Sequence, residues 1–229
     1  MTSPTLHYHP LSSYCHKVLI AANVLGIALD RQLLNLGDPA ARAAYLASWP
    51  IGKMPLLVDQ GRTIPETSII IEYLQQHHAR TGVALIPAAP DAALDVRLWD
   101  RFCDQYVMTP MQAFTADLLK PASDRDAGSV ARAGRDLATA YSVMEGHLEG
   151  RHWLAGDAFS MADCAAAPAL FYAVAYVPLP PEHLHLSAYF ERLMAHPAVA
   201  ATIDQARPYF NIFPGRAGLA RRFLDPGIA

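Results

Sequence analysis

The chain has 229 residues, 52% of them hydrophobic and 17% charged, and a formal net charge of −3. That length allows one large domain or two small ones, each with its own core, and the mild acidity argues against nucleic acid or an anionic membrane as main partner. Three scattered cysteines (Cys15, Cys103, Cys164), no basic-then-apolar leader in Met1-Thr2-Ser3-Pro4-Thr5 and no apolar run of membrane-spanning length predict a soluble, cytoplasmic protein without a disulfide framework.

In chain order, Leu6–His9 reads as a strand and leads into a helical pattern of Tyr14, Val18, Ala21 and Leu25 that Gly26 closes. Ser12-Ser13-Tyr14-Cys15-His16-Lys17 therefore sits where a strand feeds a helix N-terminus. First-turn N–H groups there have no intrahelical partner and the macrodipole is positive, so an anion is favoured. Ser12 and Cys15 have the spacing of a Cys-x-x-Cys redox motif whose nucleophilic cysteine has become serine. Such a site keeps a thiolate-stabilising setting without its own thiolate. It suits holding and activating the thiol of a ligand, with glutathione the obvious candidate.

Strand-like Leu29–Leu36 follows, then an irregular helical stretch over Ala40–Leu46, strands at Leu56–Asp59 and Arg62–Ile64, and a helix over Thr67–His78. Asp59-Gln60-Gly61 suits an antiparallel hairpin, so the order over residues 1–80 is β-α-β-α-β-β-α, a thioredoxin-like arrangement. Residues 81–90, TGVALIPAAP, read as a linker. Residues 91–229 are helical in pattern, with Leu137, Tyr141, Met144 and Leu148 at i, i+4, i+7 and i+11. The expected architecture is an α/β thioredoxin-like domain followed by an all-α helical bundle domain.

Lys53-Met54-Pro55 opens a strand, where a proline costs no ladder bond, and in a thioredoxin-like domain this would be a cis-Pro. The Met54 backbone would then face outward and pair with a peptide lying in the cleft. Glu66-Thr67-Ser68 begins a helix, with Thr67 read as its N-cap. Free N–H groups behind it can receive a carboxylate and Glu66 an ammonium, a fit for a γ-glutamyl head, and Lys53 can meet a second carboxylate. Phe159–Cys164 reads as a capping box, Ser160 with Asp163, in which Phe159 packs on Cys164; it sets the start of a buried helix over Ala165–Ala173. His7 with His9, and His183 with His185, share faces but lack a completing ligand, so no metal is expected. Tyr8, at the end of the first strand, is an alternative donor to a thiolate, and Cys103 reads as a small core residue.

These four segments, in this order and separation, resemble the cytosolic glutathione transferases over essentially the whole chain. The resemblance implies a glutathione-binding thioredoxin-like domain, a helical domain supplying a pocket for a small hydrophobic electrophile, and a homodimer. It assigns Ser12 as the thiol-activating residue, Ser12, Ser13, Lys53, Met54, Glu66 and Thr67 to glutathione, and Leu11, Phe102 and Tyr106 to the electrophile, between the first loop and the helix that also carries Trp99 and Met111. Ser12-Ser13 is most similar to the Ser-Ser-Cys motif of the zeta class, with Tyr14 in place of that cysteine, and the whole motif looks like a bacterial subgroup. Two other readings stand beside conjugation: a non-enzymatic binding module on the same fold, and a peroxidase or thiol reductase acting through Cys15. The aromatic run Arg207–Gly215 is expected either to border the electrophile pocket or simply to dock onto the helical domain.

Overall fold

In the computed structural model, which describes residues 3–80, 82–225 and 227, Thr5–Tyr8 forms β1 at the inside of a sheet with β2 (Asp30–Leu33), β3 (Leu56–Asp59) and β4 (Arg62–Ile64) in the order β2-β1-β3-β4. β1 and β2 are parallel, which requires a crossover, and α1 (Ser13–Leu25) supplies it. β3 is antiparallel to both neighbours. Gln60 (φ 50°) and Gly61 (φ 79°) make the expected two-residue turn to β4, the left-handed geometry that matches strand twist. β2 is shorter than the periodicity of Leu29–Leu36 implied. It is an edge strand with Leu33 52% exposed, and beyond Leu34 the chain turns at Asn35, whose side chain accepts from Gly37 N–H.

Leu6, Leu56 and Leu57 are fully buried together with Val18, Ala21 and Leu25 of α1 and Ile70, Ile71 and Leu74 of α3 (Thr67–His78). Between β2 and β3 lies α2 (Pro39–Ser48), capped by Asp38. Gly26 ends α1 in the left-handed conformation, φ 68°, and its N–H closes on Ala22 and Asn23 carbonyls, the ending the sequence predicted. At the far end of α3, His77 stacks on Tyr73 with ring centroids 4.3 Å apart, while His78 Nε2 meets Asp59 Oδ2 at 2.7 Å.

The chain divides into two compact units, Met1–Leu85 and Ile86–Ala229. The boundary falls within the segment read as a linker, but Leu85 and Ile86 are buried and Leu85 N–H donates to Gln75 Oε1 at 2.7 Å. Thr81, at its head, and Pro226, Ile228 and Ala229, at the end of the predicted helical domain, lie outside the described residues.

The second unit contains α4 (Pro90–Phe102), a π-helical segment (Cys103–Met108), α5 (Thr109–Leu118), α6 (Ala127–Leu148), α7 (Met161–Ala173), α8 (Leu184–Ala195), α9 (Pro197–Ala206) and α10 (Arg221–Leu224). α4 runs through the π segment into α5. Pro110 has no N–H to donate, and the Thr109 N–H reaches five residues back to the Asp104 carbonyl, which also accepts from Thr109 Oγ1 at 3.0 Å. α7 is buried on every face and starts at Met161, four residues before the predicted Ala165. Phe159 ends up stacked on His196, centroids 4.0 Å apart. The C-terminal aromatic run docks on α7 and the turn after it: Phe210 lies against Phe171, and Phe213 against Tyr172 and Tyr176. Among the described residues no helix is long and apolar enough to cross a membrane.

Asp163, 0% exposed, accepts four hydrogen bonds. Ser160 N–H (2.8 Å) and Oγ (2.9 Å) donate to one oxygen, and Leu154 N–H (3.1 Å) and the Tyr189 hydroxyl (2.6 Å) to the other. Asp163→Ala strands those donors, each worth about 1–3 kcal/mol when buried without a partner. The expected loss is about 4 kcal/mol or more, or roughly 10 °C in Tm. A thermal melt by circular dichroism measures it, and a Tm within a degree or two of the parent contradicts this role.

Candidate functional site

The register of the first unit brings three chain segments to one end of the sheet. His7 pairs with Leu56, so Met54 and Pro55 enter β3 beside the end of β1, where residues 9–12 leave for α1. Leu57 pairs with Ile64, so Pro65 and Glu66 leave β4 at that same end. Helices α1 and α3 both begin there, with their N–H groups uncommitted to earlier turns.

Ser12 is the N-cap of α1, with φ −79° and ψ 115°, and its Oγ accepts from Cys15 N–H at 3.3 Å. Using the oxygen as acceptor leaves the hydroxyl proton to point elsewhere. Ser12 is half-buried, whereas Ser13, the first helical residue, is 5% exposed, so of the two it is Ser12 that presents its hydroxyl at the helix end. The loop before it is pinned. Ser12 N–H donates to the His9 carbonyl (3.0 Å), Leu11 N–H to His9 Nδ1 (3.2 Å), and His16 Nε2 to the Pro10 carbonyl (2.6 Å). Burial pushes the His16 imidazole down to about 4 against the pull of that carbonyl, so the ring is neutral at pH 7 and serves as a fixed donor. Cys15 is 0% exposed, and burial drives its thiol up to about 12 despite hydrogen bonds involving Ser12 and His9. Tyr8 is half-buried at the last position of β1, four residues before Ser12.

The Met54–Pro55 bond is cis, as the sequence pattern implied. Lys53 is exposed, and its carbonyl accepts from the buried Tyr45 hydroxyl at 2.6 Å, which fixes the turn. Met54 packs on the Leu34, Tyr45 and Leu56 cluster. The start of α3 differs from the reading that Thr67 caps it. Glu66 is the N-cap, makes no side-chain capping bond and is exposed, while Thr67 is the first helical residue and 6% exposed. Glu66 has φ 68° and ψ 121°, a conformation that costs a residue with a Cβ about 1–3 kcal/mol and is concentrated at ligand clamps.

His16 and Lys17 stood in the hexapeptide without an assigned task. Lys17 is 0% exposed and its Nζ donates to Ser68 Oγ at 3.1 Å, tying α1 to the second residue of α3. Lysine is almost never fully buried without a partner, so a lysine amid Cys15, Val18 and Leu19 was the available signal. His16 offered none, since a satisfied core histidine has the same sequence context.

In the helical unit, Phe102 and Tyr106 line a cavity of about 740 Å3, facing Ala133, Ala140 and Val143 of α6. Their rings are 5.1 Å apart, and Tyr106 is 60% exposed. Trp99 and Met111, expected on the same pocket helix, are instead core residues at 7% and 3% exposure, Trp99 stacking on His147. Leu11 is half-buried in the loop that His16 pins. No cluster of three metal-ligating side chains occurs among the described residues.

The sheet end thus gathers two helix N-termini, an exposed carboxylate at Glu66, an exposed cation at Lys53 and the half-buried Ser12 hydroxyl. A family model described as glutathione S-transferase, N-terminal domain, matches residues 6–82, and one described as glutathione S-transferase, C-terminal domain, matches residues 102–197. Glutathione S-transferase 3 of Zea mays is 30% identical over 212 residues, covering 86% of this chain and 92% of that protein. A glutathione S-transferase of Methylobacillus flagellatus, solved with glutathione bound, superposes with a TM-score of 0.74 at 29% identity, over 87% of this chain and 98% of that one. One from Methylobacterium radiotolerans, in complex with glutathione sulfonate, gives 0.75 at 25% identity, over 88% and 94%.

The burial of Cys15 has a direct readout. With its thiol pushed up to about 12, Cys15 is protonated at neutral pH and shielded, so the native protein should resist iodoacetamide at this position and take it up only after unfolding. Peptide mass mapping of native and guanidinium-treated protein measures this; rapid native labelling at Cys15 would contradict it.

Proposed function

This chain belongs to the glutathione S-transferase family, and we propose that it transfers the thiolate of glutathione to a small hydrophobic electrophile. The observation that carries the proposal is the helix end at Ser12, where a half-buried hydroxyl caps the first turn of α1. A free thiol has a pKa of about 8.5, so lowering it by one to two units makes thiolate the main form near neutral pH. The helix N-terminus and a Ser12 hydrogen bond supply that shift by favouring the charged form. The thiolate then attacks the electrophile, forming the C–S bond as the leaving group departs or as a proton is taken up by the adduct.

In this reading the γ-glutamyl ammonium sits at Glu66 and its carboxylate on the first N–H groups of α3 beside Thr67. The peptide backbone pairs with Met54, and the glycine carboxylate lies near Lys53, with Ser13 at the shoulder of the thiol site. These contacts orient the thiol rather than activate it. Leu11, Phe102 and Tyr106 are proposed for the electrophile. The aromatic lining of the helical unit's cavity supports the last two. Leu94 and Leu98, four apart on α4 and 66% and 60% exposed, form an apolar row that a second copy of the chain would cover in a homodimer. A cytoplasmic setting suits three cysteines that are all free and buried. Burial of Cys15 weighs against the reductase and peroxidase readings, and a pure binding module has no need of an aligned thiol site.

Ser12→Ala should lower kcat about tenfold or more while glutathione affinity holds, because the hydroxyl acts on the thiolate alone. Glu66→Ala should do the reverse, weakening glutathione by about 1.5–3 kcal/mol in calorimetry. An inactive Tyr8→Phe or Ser13→Ala beside a fully active Ser12→Ala would move the activating role.

Tyr106→Ala separates pocket from interface. A higher KM for an aryl halide with unchanged glutathione affinity and unchanged mass in solution supports the electrophile assignment. Dissociation of a dimer in sedimentation, with KM unchanged, would place Tyr106 in an interface instead.

A further inference from the structure

The helical unit has a second cavity, of about 370 Å3, between the end of α6 and one face of α8. We propose that it is a binding site for a small phosphate-bearing solute, distinct from the glutathione and electrophile sites. α6 stops at Leu148, Gly150 turns the chain at φ 71°, and Arg151 and His152 follow on one wall. His185, Ala188 and Arg192 form the other. Spaced three and four apart, they share one face of α8, and the small Ala188 between two long side chains opens the space.

No carboxylate lines this cavity. Arg151 is exposed, and neither it nor Arg192 enters a described ion pair. Arg192 is held in place: its Nε donates to the His152 carbonyl at 3.0 Å, and its guanidinium lies over the Trp153 ring, 5.8 Å from the centroid. A guanidinium has five N–H donors, so the rest of the fork remains for a ligand, and an imidazole offers a donor even when neutral. Three acids close in sequence to the lining are not among its residues. Glu145 accepts from the first-turn N–H groups of His185 (3.1 Å) and Leu186 (2.7 Å), Glu191 pairs with Arg222, and Glu149 is exposed.

Basic groups after a helix C-terminus are often mere complements to its dipole, and Arg151 alone would be read that way. Arg192, in the last turn of α8, complements that helix's own dipole, but His185 stands in the first turn of the same helix, and the cavity draws its lining from α8 and from the turn after α6 together, so the end of neither helix alone accounts for it. Two arginines and two histidines lining one space favour a dianion over a monoanion, and a phosphomonoester carries about −1.5 to −2 at pH 7. The volume lies at the small end of the range for ligand sites, about 300–1,000 Å3, which leaves room for a phosphate on a carrier the size of a small polyol.

The test titrates glycerol 1-phosphate into the full-length protein by isothermal calorimetry, with acetate as the monoanion control. Saturable one-to-one binding is expected, weakened about tenfold or more by Arg151→Gln and by Ala188→Met, which fills the space but keeps every charge. Both positions are exposed, so both variants should keep the parent Tm and conjugating activity. Acetate should bind at least about tenfold more weakly. Absence of saturable binding, affinity untouched by either substitution, or equal affinity for acetate would each overturn the proposal.

Discussion

Helix α1 has to begin within hydrogen-bonding reach of the strand that precedes it, and much of the first unit follows from that constraint. Only three residues separate Tyr8 from Ser12, so the turn is held at each step: by the His9 carbonyl and ring, by the Pro10 carbonyl on His16, and by Ser12 Oγ on Cys15 N–H. The helix that starts there is buried along most of its length, so it cannot slide or tilt without opening the core around Leu6, Val18 and Leu25. Lys17 then fixes the head of α3 to it through Ser68. A helix end held this way is positioned by packing, which is a more exact placement than a surface loop provides.

The same unit separates accessible from sealed groups by depth. Two positions three apart on the first turn of α1 carry opposite fates: Ser12 stands at the half-exposed cap, and Cys15 is sealed one turn down with its thiol pushed far above neutrality. On the other side of the sheet end, Glu66 keeps an exposed carboxylate on a backbone that only a rigid surrounding would sustain. Asp59, by contrast, is buried and structural. Burial alone would raise its carboxyl, but hydrogen bonds from His78 and Tyr73 outweigh it and hold the group below its usual range.

Most of this architecture is legible in sequence because its signals are local. The stop at Gly26, the turn at Gln60-Gly61 and the cap at Asp163 are each decided by a few neighbouring residues whose backbone or hydrogen-bonding preference is strong. What sequence hides is set by tertiary partners. Glu66 takes the cap position over Thr67 because the left-handed turn out of β4 falls one residue earlier than hydroxyl preference implies. Trp99 and Met111 belong to the core for a related reason: aromatic and methionine spacing is the same on a pocket wall and inside a bundle, and only the packing of α7 and α6 decides. His16 and Lys17 acquire meaning through Pro10 and Ser68, the second of them 51 residues away.

The π-helical segment between Cys103 and Met108 has a further consequence, for the tolerance of this region to changes in length. An α-helix advances about 100° per residue, and a wider turn lags behind it, so the residues beyond Met108 stand rotated relative to a continuous α-helix. Pro110 and Met111 are thus aimed by a count of residues as much as by their identity. Removing one residue here would restore a regular helix while turning Pro110 and Met111, both buried, toward a different neighbour. The rod formed by α4 and α5 is therefore a measured spacer. Many of its side chains are open to exchange, but the number of residues between Trp99 and Met111 is not.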